Sequence, residues 1–84
     1  MAKVEIYTTS ICPFCHAAKK LLTDKGADFS EISLTQEPHL RDRMVERANG
    51  ARTVPQIFIN DVHIGGCDDL YALDAKGELD PLLC

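Results

Sequence analysis

Hydrophobic and polar residues follow two different spacings in the first third of the chain. Residues 3–6 alternate between polar and apolar ahead of Tyr7, as a half-buried strand does, and a second β-like segment follows later. Between them, apolar residues recur at helical spacing, which predicts a helix over residues 13–25 with Pro13 in its first turn and Gly26 as its stop. The apolar positions are Phe14, Ala17, Ala18, Leu21 and Leu22 in the helix and Phe29, Ile32 and Leu34 in the second strand.

A second helix and a hairpin are predicted in the middle of the chain. Pro38 opens another helical pattern, which closes at Asn49-Gly50. Its apolar positions are Leu40, Met44, Val45 and Ala48. Residues 56–59 and 62–64 have the composition of two strands, and the intervening Asn60-Asp61 pair tolerates the positive φ of a two-residue turn, which indicates a β-hairpin.

The remainder of the chain is predicted to be helical. Asp68 can cap a third helix that extends through Ala75 and stops at Gly77. A final helical turn is marked by Leu79, Leu82 and Leu83. A βαβ unit makes a right-handed crossover, and the hairpin can extend the same sheet. We therefore expect an α/β fold: a four-stranded mixed sheet, βαβ followed by ββα, flanked by three or more helices.

The composition limits the classes of function. The 84 residues fit one domain, 1–84, with 45% hydrophobic residues to build its core. The formal net charge is −4 and no Lys/Arg-rich run occurs, so nucleic acid is not an expected partner. Apolar stretches fall far short of the roughly 20 residues of a membrane span. We expect no signal peptide, no membrane partner, a cytoplasmic location and a monomer.

The four cysteines are the main clue to the chemistry. In a reducing cytosol a static disulfide framework is not expected, and catalytic or metal-binding functions are favoured. Cys12 and Cys15, in the motif Cys12-Pro13-Phe14-Cys15, lie about one helical turn apart and can form and break a disulfide with little backbone movement. A CxxC pair next to a βαβ pattern is typical of the thioredoxin-like group. The sequence therefore predicts a redox pair.

The two thiols of this pair are expected to differ in function. With Pro13 as the first helical residue, Cys12 lies at the helix cap, exposed, with its sulfur facing free amides and the positive end of the helix dipole. Lowering a thiol pKa from about 8.5 by about 1.5 units needs roughly 2 kcal/mol. The dipole contributes about 0.3–1 kcal/mol and a charged hydrogen bond roughly 1.5–3, so amides such as those of Phe14 and Cys15 must contribute most. Cys12 is the predicted nucleophile, and the less exposed Cys15 is the resolving thiol.

Other interpretations of the cysteines compete with redox chemistry. The pair could be buried structural residues of a helix. His16 completes the C-x-x-C-H string of c-type haem attachment, but a second axial ligand would then be needed in a small α/β chain. Structural zinc needs four ligands, and Cys67 and Cys84 lack the paired spacing that would complete a site with Cys12 and Cys15. We therefore expect no metal.

Two further segments are suited to a peptide-like ligand. Pro55 keeps Val54 extended and leaves its backbone groups free for an extended peptide, although a proline at a strand entry is also an ordinary structural feature. After two glycines, the amides around Cys67 and Asp68 at the start of a helix can bind a carboxylate. The Asp68 carboxylate can pair with an ammonium group, so a γ-linked glutamate would fit this site. The presence of an aspartate here is explained equally well by its function as an ordinary helix cap.

The remaining cysteines and histidines carry no predicted catalytic function. Cys67 is interpreted as a small buried apolar residue and Cys84 as incidental. His39 and His63 have no ligand or nucleophile nearby in the sequence, so both are expected to be structural or solvated.

Three motifs taken together resemble the glutaredoxins, in order and spacing, across nearly the whole chain. They are Cys12-Pro13-Phe14-Cys15, Thr53-Val54-Pro55-Gln56-Ile57-Phe58-Ile59 and Gly65-Gly66-Cys67-Asp68-Asp69-Leu70. The resemblance is to the small bacterial dithiol class, and it implies a thioredoxin-like fold with glutathione as the reducing co-substrate. It implies that Cys12 attacks glutathione mixed disulfides, that Cys15 resolves protein disulfides, and that ribonucleotide reductase is a substrate of the family type.

The same resemblance implies a set of glutathione contacts. Pro55 is expected to be cis, the Val54 backbone to pair with the cysteinyl part of glutathione, and Cys67 and Asp68 to hold its γ-glutamyl end. The full expected set is Phe14, Thr53, Val54, Pro55, Gly66, Cys67, Asp68 and Asp69.

The chain departs from the family pattern at two positions. Phe14 stands where Tyr is commoner, and Thr9 stands where a Lys near the glutathione glycine carboxylate is common. Losing that cation is expected to weaken glutathione binding unless Arg41 or Arg52 reaches the same carboxylate. Two alternatives remain: an iron–sulfur cluster shared between two chains, which Pro13 and the dithiol motif disfavour, and a thioredoxin reduced directly by a flavoenzyme.

Overall fold

The structure is a computed structural model that describes residues 2–83. Its strands are β1 (Val4–Thr8), β2 (Ser30–Ser33), β3 (Gln56–Ile59) and β4 (Val62–Gly65). Its α-helices are α1 (Pro13–Asp24), α2 (Arg41–Arg47), α3 (Cys67–Ala75) and α4 (Leu79–Leu83), and a single 3₁₀ turn covers Pro38–Leu40. Within residues 2–83, the helices are too short or too polar to cross a membrane. Cys84 lies outside the described residues.

The four strands form one mixed sheet in the order β2-β1-β3-β4. Strand β1 pairs in parallel with β2, because α1 carries the chain back along the sheet between them, and it pairs antiparallel with β3. Strands β3 and β4 form the predicted hairpin, whose turn places Asn60 at φ 51° and Asp61 at φ 67°. The predicted α/β fold with a four-stranded mixed sheet is confirmed.

Alternate strand residues point to opposite sides of the sheet, and apolar side chains on both faces are covered by helices. On one face, Ile6 and Ile57 pack with Leu22 of α1 and Leu70 of α3. On the other, Tyr7, Phe58 and Met44 belong to a second buried cluster, to which α2 contributes the methionine. This packing fixes α1 so that its first turn follows closely on the carboxyl end of β1, where the CxxC motif lies.

Two predicted helix starts are wrong. Pro38 opens a 3₁₀ turn, in which the Leu40 amide donates to the Glu37 carbonyl at 3.0 Å, and the α-helix begins only at Arg41. The third helix is capped at Gly66, not at Asp68. A carboxylate three residues beyond the cap can reach back to the cap amide, and Asp69 occupies that position: its Oδ2 accepts from the Gly66 N–H at 3.0 Å.

Candidate redox site and glutathione cleft

The cap of helix α1 is a cysteine sulfur. Cys12 has extended backbone angles (φ −153°, ψ 97°), and Pro13 occupies the first helical position as predicted. The Cys12 Sγ accepts a hydrogen bond from the Cys15 amide at 3.1 Å, which is one of the two amides that the sequence singled out. The two sulfurs are joined as a disulfide, with the Cα atoms 5.2 Å apart. The motif therefore places a redox-competent pair on the first turn of a helix.

The burial of the pair partly contradicts the prediction. Cys12 was expected to be exposed, but it is only 7% exposed, against 1% for Cys15. The Cys12 sulfur is bonded to that of Cys15, and the Val54 carbonyl oxygen lies 3.7 Å from it. The predicted order of exposure between the two cysteines holds. The side chains that stand out around the pair are instead Ile11 and Phe14, both exposed.

All the residues expected to contact glutathione line a single cleft next to the disulfide. The Val54-Pro55 peptide bond is cis, as expected. The cleft has a volume of about 260 Å³, and α3 begins at its far wall. Its lining residues are Phe14, Thr53, Val54, Pro55, Gly66, Cys67, Asp68 and Asp69. Three segments that are distant in sequence thus meet at one site.

The charges around the cleft are distributed unevenly. The first turn of α1 carries no acidic residue, so no carboxylate there opposes a thiolate at Cys12. The first turn of α3 carries Asp68 and Asp69. Burial raises the pKa of the Cys67 thiol, and the Asp68 carboxylate raises it further, which keeps Cys67 protonated. Within residues 2–83, no group of three or more His, Cys, Asp or Glu side chains is arranged to hold a metal ion.

Cations near the motif have local partners. Lys19 pairs with Glu31 at 3.0 Å and Lys20 with Asp24 at 3.0 Å, so both lysines are engaged away from the disulfide. Arg41 donates to the Arg52 carbonyl oxygen at 2.8 Å. Thr9 lies outside the cleft, in a polar depression formed with Ser10, His16, Lys19, Glu31 and neighbouring residues.

Sequence reasoning missed the side chains that support the cleft from behind. Gln56 donates from Nε2 to the Thr53 carbonyl oxygen at 3.0 Å, and its Oε1 lies 2.6 Å from the Nε2 of His63. His63 was expected to be structural or solvated, and its contact with Gln56 agrees with a structural function. A polar glutamine at the start of an otherwise apolar strand was the available signal. Its partner could not be identified without the register of the hairpin.

Comparison with known proteins identifies the family. The family model for glutaredoxins matches residues 4–64 of the chain. The chain belongs to the glutaredoxin family. Glutaredoxin 3 of Escherichia coli is 59% identical to it over 83 residues, which cover 99% of each chain. The predicted resemblance is confirmed.

Solved glutaredoxins have the same fold. The glutaredoxin of Brucella melitensis is 57% identical, with a TM-score of 0.85 over 99% of this chain and 89% of that one. A buckwheat glutaredoxin solved in complex with glutathione is 33% identical, with a TM-score of 0.90 over 98% of this chain and 76% of the buckwheat chain. Glutaredoxins are thiol–disulfide oxidoreductases, so the Cys12–Cys15 disulfide is the redox-active pair.

Proposed function

We propose that the chain is a glutathione-dependent thiol–disulfide oxidoreductase. It acts as a single domain over residues 1–84, as a monomer in the cytoplasm, where the glutathione that the reaction consumes is abundant. It reduces glutathione mixed disulfides and protein disulfides and donates electrons in redox homeostasis, with ribonucleotide reductase as a family-type acceptor. The single observation that carries this proposal is the Cys12–Cys15 disulfide at a helix cap, beside a cleft lined by Val54, cis-Pro55 and the start of α3.

The cleft offers complementary groups to each part of glutathione. The backbone of Val54 suits the cysteinyl part, which would lie extended beside it. The amides that open α3 at Cys67 and Asp68 suit the γ-glutamyl carboxylate, and the exposed Asp68 carboxylate suits the ammonium group of the same end. Phe14, Thr53, Gly66 and Asp69 complete the proposed contact set. The buckwheat relative, which was solved with glutathione, supports this ligand.

Reduction of a glutathione mixed disulfide needs only Cys12. Its thiolate attacks the glutathione sulfur, the substrate sulfur leaves as a thiolate that takes a proton from water, and a Cys12–glutathione disulfide forms. A second glutathione thiolate then attacks the glutathione sulfur of that intermediate. Cys12 leaves as a thiolate, and glutathione disulfide is the oxidised product.

Reduction of a protein disulfide needs Cys15 as well. Cys12 attacks one substrate sulfur and releases the other as a thiolate. Cys15 then gives its proton to water, and its thiolate attacks the Cys12 sulfur of the mixed disulfide. The second substrate sulfur leaves as a thiolate, and both substrate thiolates take protons from water to give the dithiol. The product of this step is the Cys12–Cys15 disulfide, the form described above. Two molecules of glutathione return it to the dithiol and are themselves oxidised to one glutathione disulfide.

The reactivity of Cys12 is explained mainly by hydrogen bonding. A helix dipole contributes about 0.3–1 kcal/mol to an anion at its amino end. A hydrogen bond to a charged group contributes about 1.5–3 kcal/mol. The Cys15 amide is such a donor, 3.1 Å from the Cys12 sulfur, so it favours the thiolate as attacking and leaving group.

The proposal is tested with two single substitutions and two substrates. Cys12→Ser should lower reduction of both a glutathionylated peptide and a protein disulfide by about 100-fold or more, because the nucleophile is lost. Cys15→Ser should keep reduction of the glutathionylated peptide and lose reduction of the protein disulfide. Activity is followed as the rate of glutathione disulfide formation. Equal loss of both activities in Cys15→Ser, or activity in Cys12→Ser, would overturn the proposal.

A further inference from the structure

Gln56 connects the hairpin to the loop that lines the cleft. The residue is 3% exposed. Its Nε2 lies 3.0 Å from the Thr53 carbonyl oxygen and 3.2 Å from the Thr53 hydroxyl. Its Oε1 lies 2.6 Å from the Nε2 of His63 on β4. One buried side chain therefore joins an edge strand to the residue that precedes Val54.

The direction of these hydrogen bonds follows from the donors available. A carbonyl oxygen only accepts, so the amide nitrogen of Gln56 must face Thr53 and its amide oxygen must face His63. The Nε2 of His63 therefore carries a hydrogen and donates it to Gln56. A flipped amide would place two oxygens against each other and leave buried polar groups without partners. The His63 ring also packs on Phe58, its partner across the hairpin, at a centroid distance of 5.1 Å.

The consequence reaches Val54 through the planarity of the peptide bond. The Thr53 carbonyl and the Val54 N–H belong to one trans peptide group, in which they point in opposite directions. Because Gln56 holds the carbonyl, it also fixes the direction of the Val54 N–H. The preceding carbonyl, that of Arg52, is held by Arg41 at 2.8 Å, and the following one, that of Val54, faces the Cys12 sulfur at 3.7 Å. Three consecutive peptide groups are thereby oriented.

We propose that Gln56 and His63 are positioning residues for the reaction with glutathione. His63 holds the amide of Gln56, and that amide orients the Thr53–Val54 peptide so that its N–H is presented to the cysteinyl part of the ligand. The inference rests on the proposed function. Neither side chain lines the cleft, so both act through the loop and not by touching the ligand.

Loss of either residue should weaken ligand binding more than chemistry. A peptide group that is free to rotate gives up a preorganised hydrogen bond, so KM for a glutathionylated peptide should rise about 5- to 10-fold. The kcat, and alkylation of Cys12 by iodoacetamide, should stay within about twofold, because that small reagent needs no backbone pairing.

Three variants test the positioning function of Gln56 and His63. Gln56→Leu keeps the size of the side chain but removes the amide nitrogen that donates to Thr53 and the amide oxygen that accepts from His63. His63→Leu removes the donor to Gln56. His63→Gln restores an N–H that can donate to the same oxygen. KM and kcat are measured with a glutathionylated peptide, and Cys12 alkylation is measured in the Cys15→Ser background. We expect raised KM in both leucine variants and recovery to within about twofold of the unmodified chain in His63→Gln.

A second measurement needs no substitution in the network. In the Cys15→Ser chain, forming the Cys12–glutathione disulfide should shift the NMR resonances of the Gln56 side-chain amide and of the His63 Nε2–H. Unchanged KM in folded leucine variants, parallel loss of Cys12 alkylation, or failure of His63→Gln to restore KM would overturn the inference. If the leucine variants do not fold, the NMR measurement decides alone: resonances of Gln56 and His63 that do not shift when the Cys12–glutathione disulfide forms would overturn the inference. A parent chain without glutathione-dependent activity would remove the proposed function itself.

Discussion

Single residues of the redox site differ in how their sulfur atoms are surrounded. Cys67 is buried, and both this burial and the Asp68 carboxylate raise the pKa of its thiol. The Cys12 sulfur, by contrast, accepts from the Cys15 amide. In the reduced chain at neutral pH we expect iodoacetamide to modify Cys12 at least about 100-fold faster than Cys67 or Cys15. Mass spectrometry of the peptides measures each rate, and earlier modification of Cys15 would contradict the division of functions.

The residue at position 9 lies outside the cleft, and a substitution there tests whether charge in the neighbouring polar depression acts on Cys12 and on ligand binding. Thr9→Lys adds a cation where family members often carry one. It should strengthen glutathione binding and raise the thiolate fraction of Cys12, so Cys12 alkylation at neutral pH should accelerate about threefold, less so in high salt. Thr9→Met, of similar length and no charge, is the matched control. Equal rates in the Lys and Met variants would show that position 9 does not act through charge.

Sequence reasoning located the residues that line the cleft but not those that support them. Cysteine spacing, a proline before a strand and a helix start are local patterns, so Cys12, Pro55 and Asp68 could be singled out from the chain alone. The contact between Gln56 and His63 depends on the register of a hairpin that contains an irregularity between Ile57 and Phe58. No local pattern specifies such a register, because one shifted residue changes which side chains share a face.

At the level of elements, the two aspartates at the start of α3 differ in what they contribute to folding. The Asp69 carboxylate accepts from the Gly66 amide and caps the helix, whereas the neighbouring Asp68 is proposed to bind the ammonium group of the ligand; both residues are exposed. Asp69→Ala should lower the free energy of unfolding by about 1 kcal/mol, as loss of a helix cap does. Asp68→Ala should leave stability within about 0.5 kcal/mol and raise KM for a glutathionylated peptide. Urea unfolding and steady-state kinetics on both variants check the contrast, which would fail if Asp69→Ala unfolds like the parent chain.

The hydrophobic periodicity of the sequence predicted the helices and strands correctly, but it predicted their first residues less well. The order of strands and helices follows from alternation and helical spacing, which extend over many residues. Starts depend on one or two residues, and Pro38 is compatible with both a 3₁₀ turn and an α-helix. At α3, both Asp68 and Asp69 satisfy the compositional rule for a helix start. Only the position of the cap amide distinguishes them.

In the whole molecule, helix α1 is tied to the C-terminal helices. The Tyr71 hydroxyl of α3 donates to the Ala17 carbonyl of α1 at 3.3 Å. Lys25, just past the end of α1, pairs with Asp74 at 2.6 Å and with Asp80 at 3.0 Å. The disulfide lies on α1 and the proposed γ-glutamyl site on α3, so these contacts help to keep the two ends of the cleft in register.

The acid stability of the molecule should depend on Glu31, which joins β1, β2 and α1. Its carboxylate accepts from the Thr8 hydroxyl at 2.7 Å and pairs with Lys19 at 3.0 Å. These contacts, the Thr8 hydrogen bond foremost, hold the pKa of Glu31 below its ordinary 4.5. Because the pKa is lower in the folded chain than in the unfolded one, Glu31 stabilises the fold above the ordinary value, and this contribution is lost as the pH falls through the lowered value.

Glu31→Gln tests that linkage, because the amide can still accept from Thr8 but does not titrate. The difference in the free energy of unfolding between about pH 7 and about pH 3 should be smaller in Glu31→Gln than in the parent chain. Glu37→Gln is the control, since it removes the same charge at a residue outside the Thr8–Glu31–Lys19 contacts. Urea titrations at both pH values measure the difference. If Glu31→Gln and Glu37→Gln changed the pH dependence equally, the acid sensitivity would come from overall charge and not from the Thr8–Glu31–Lys19 contacts.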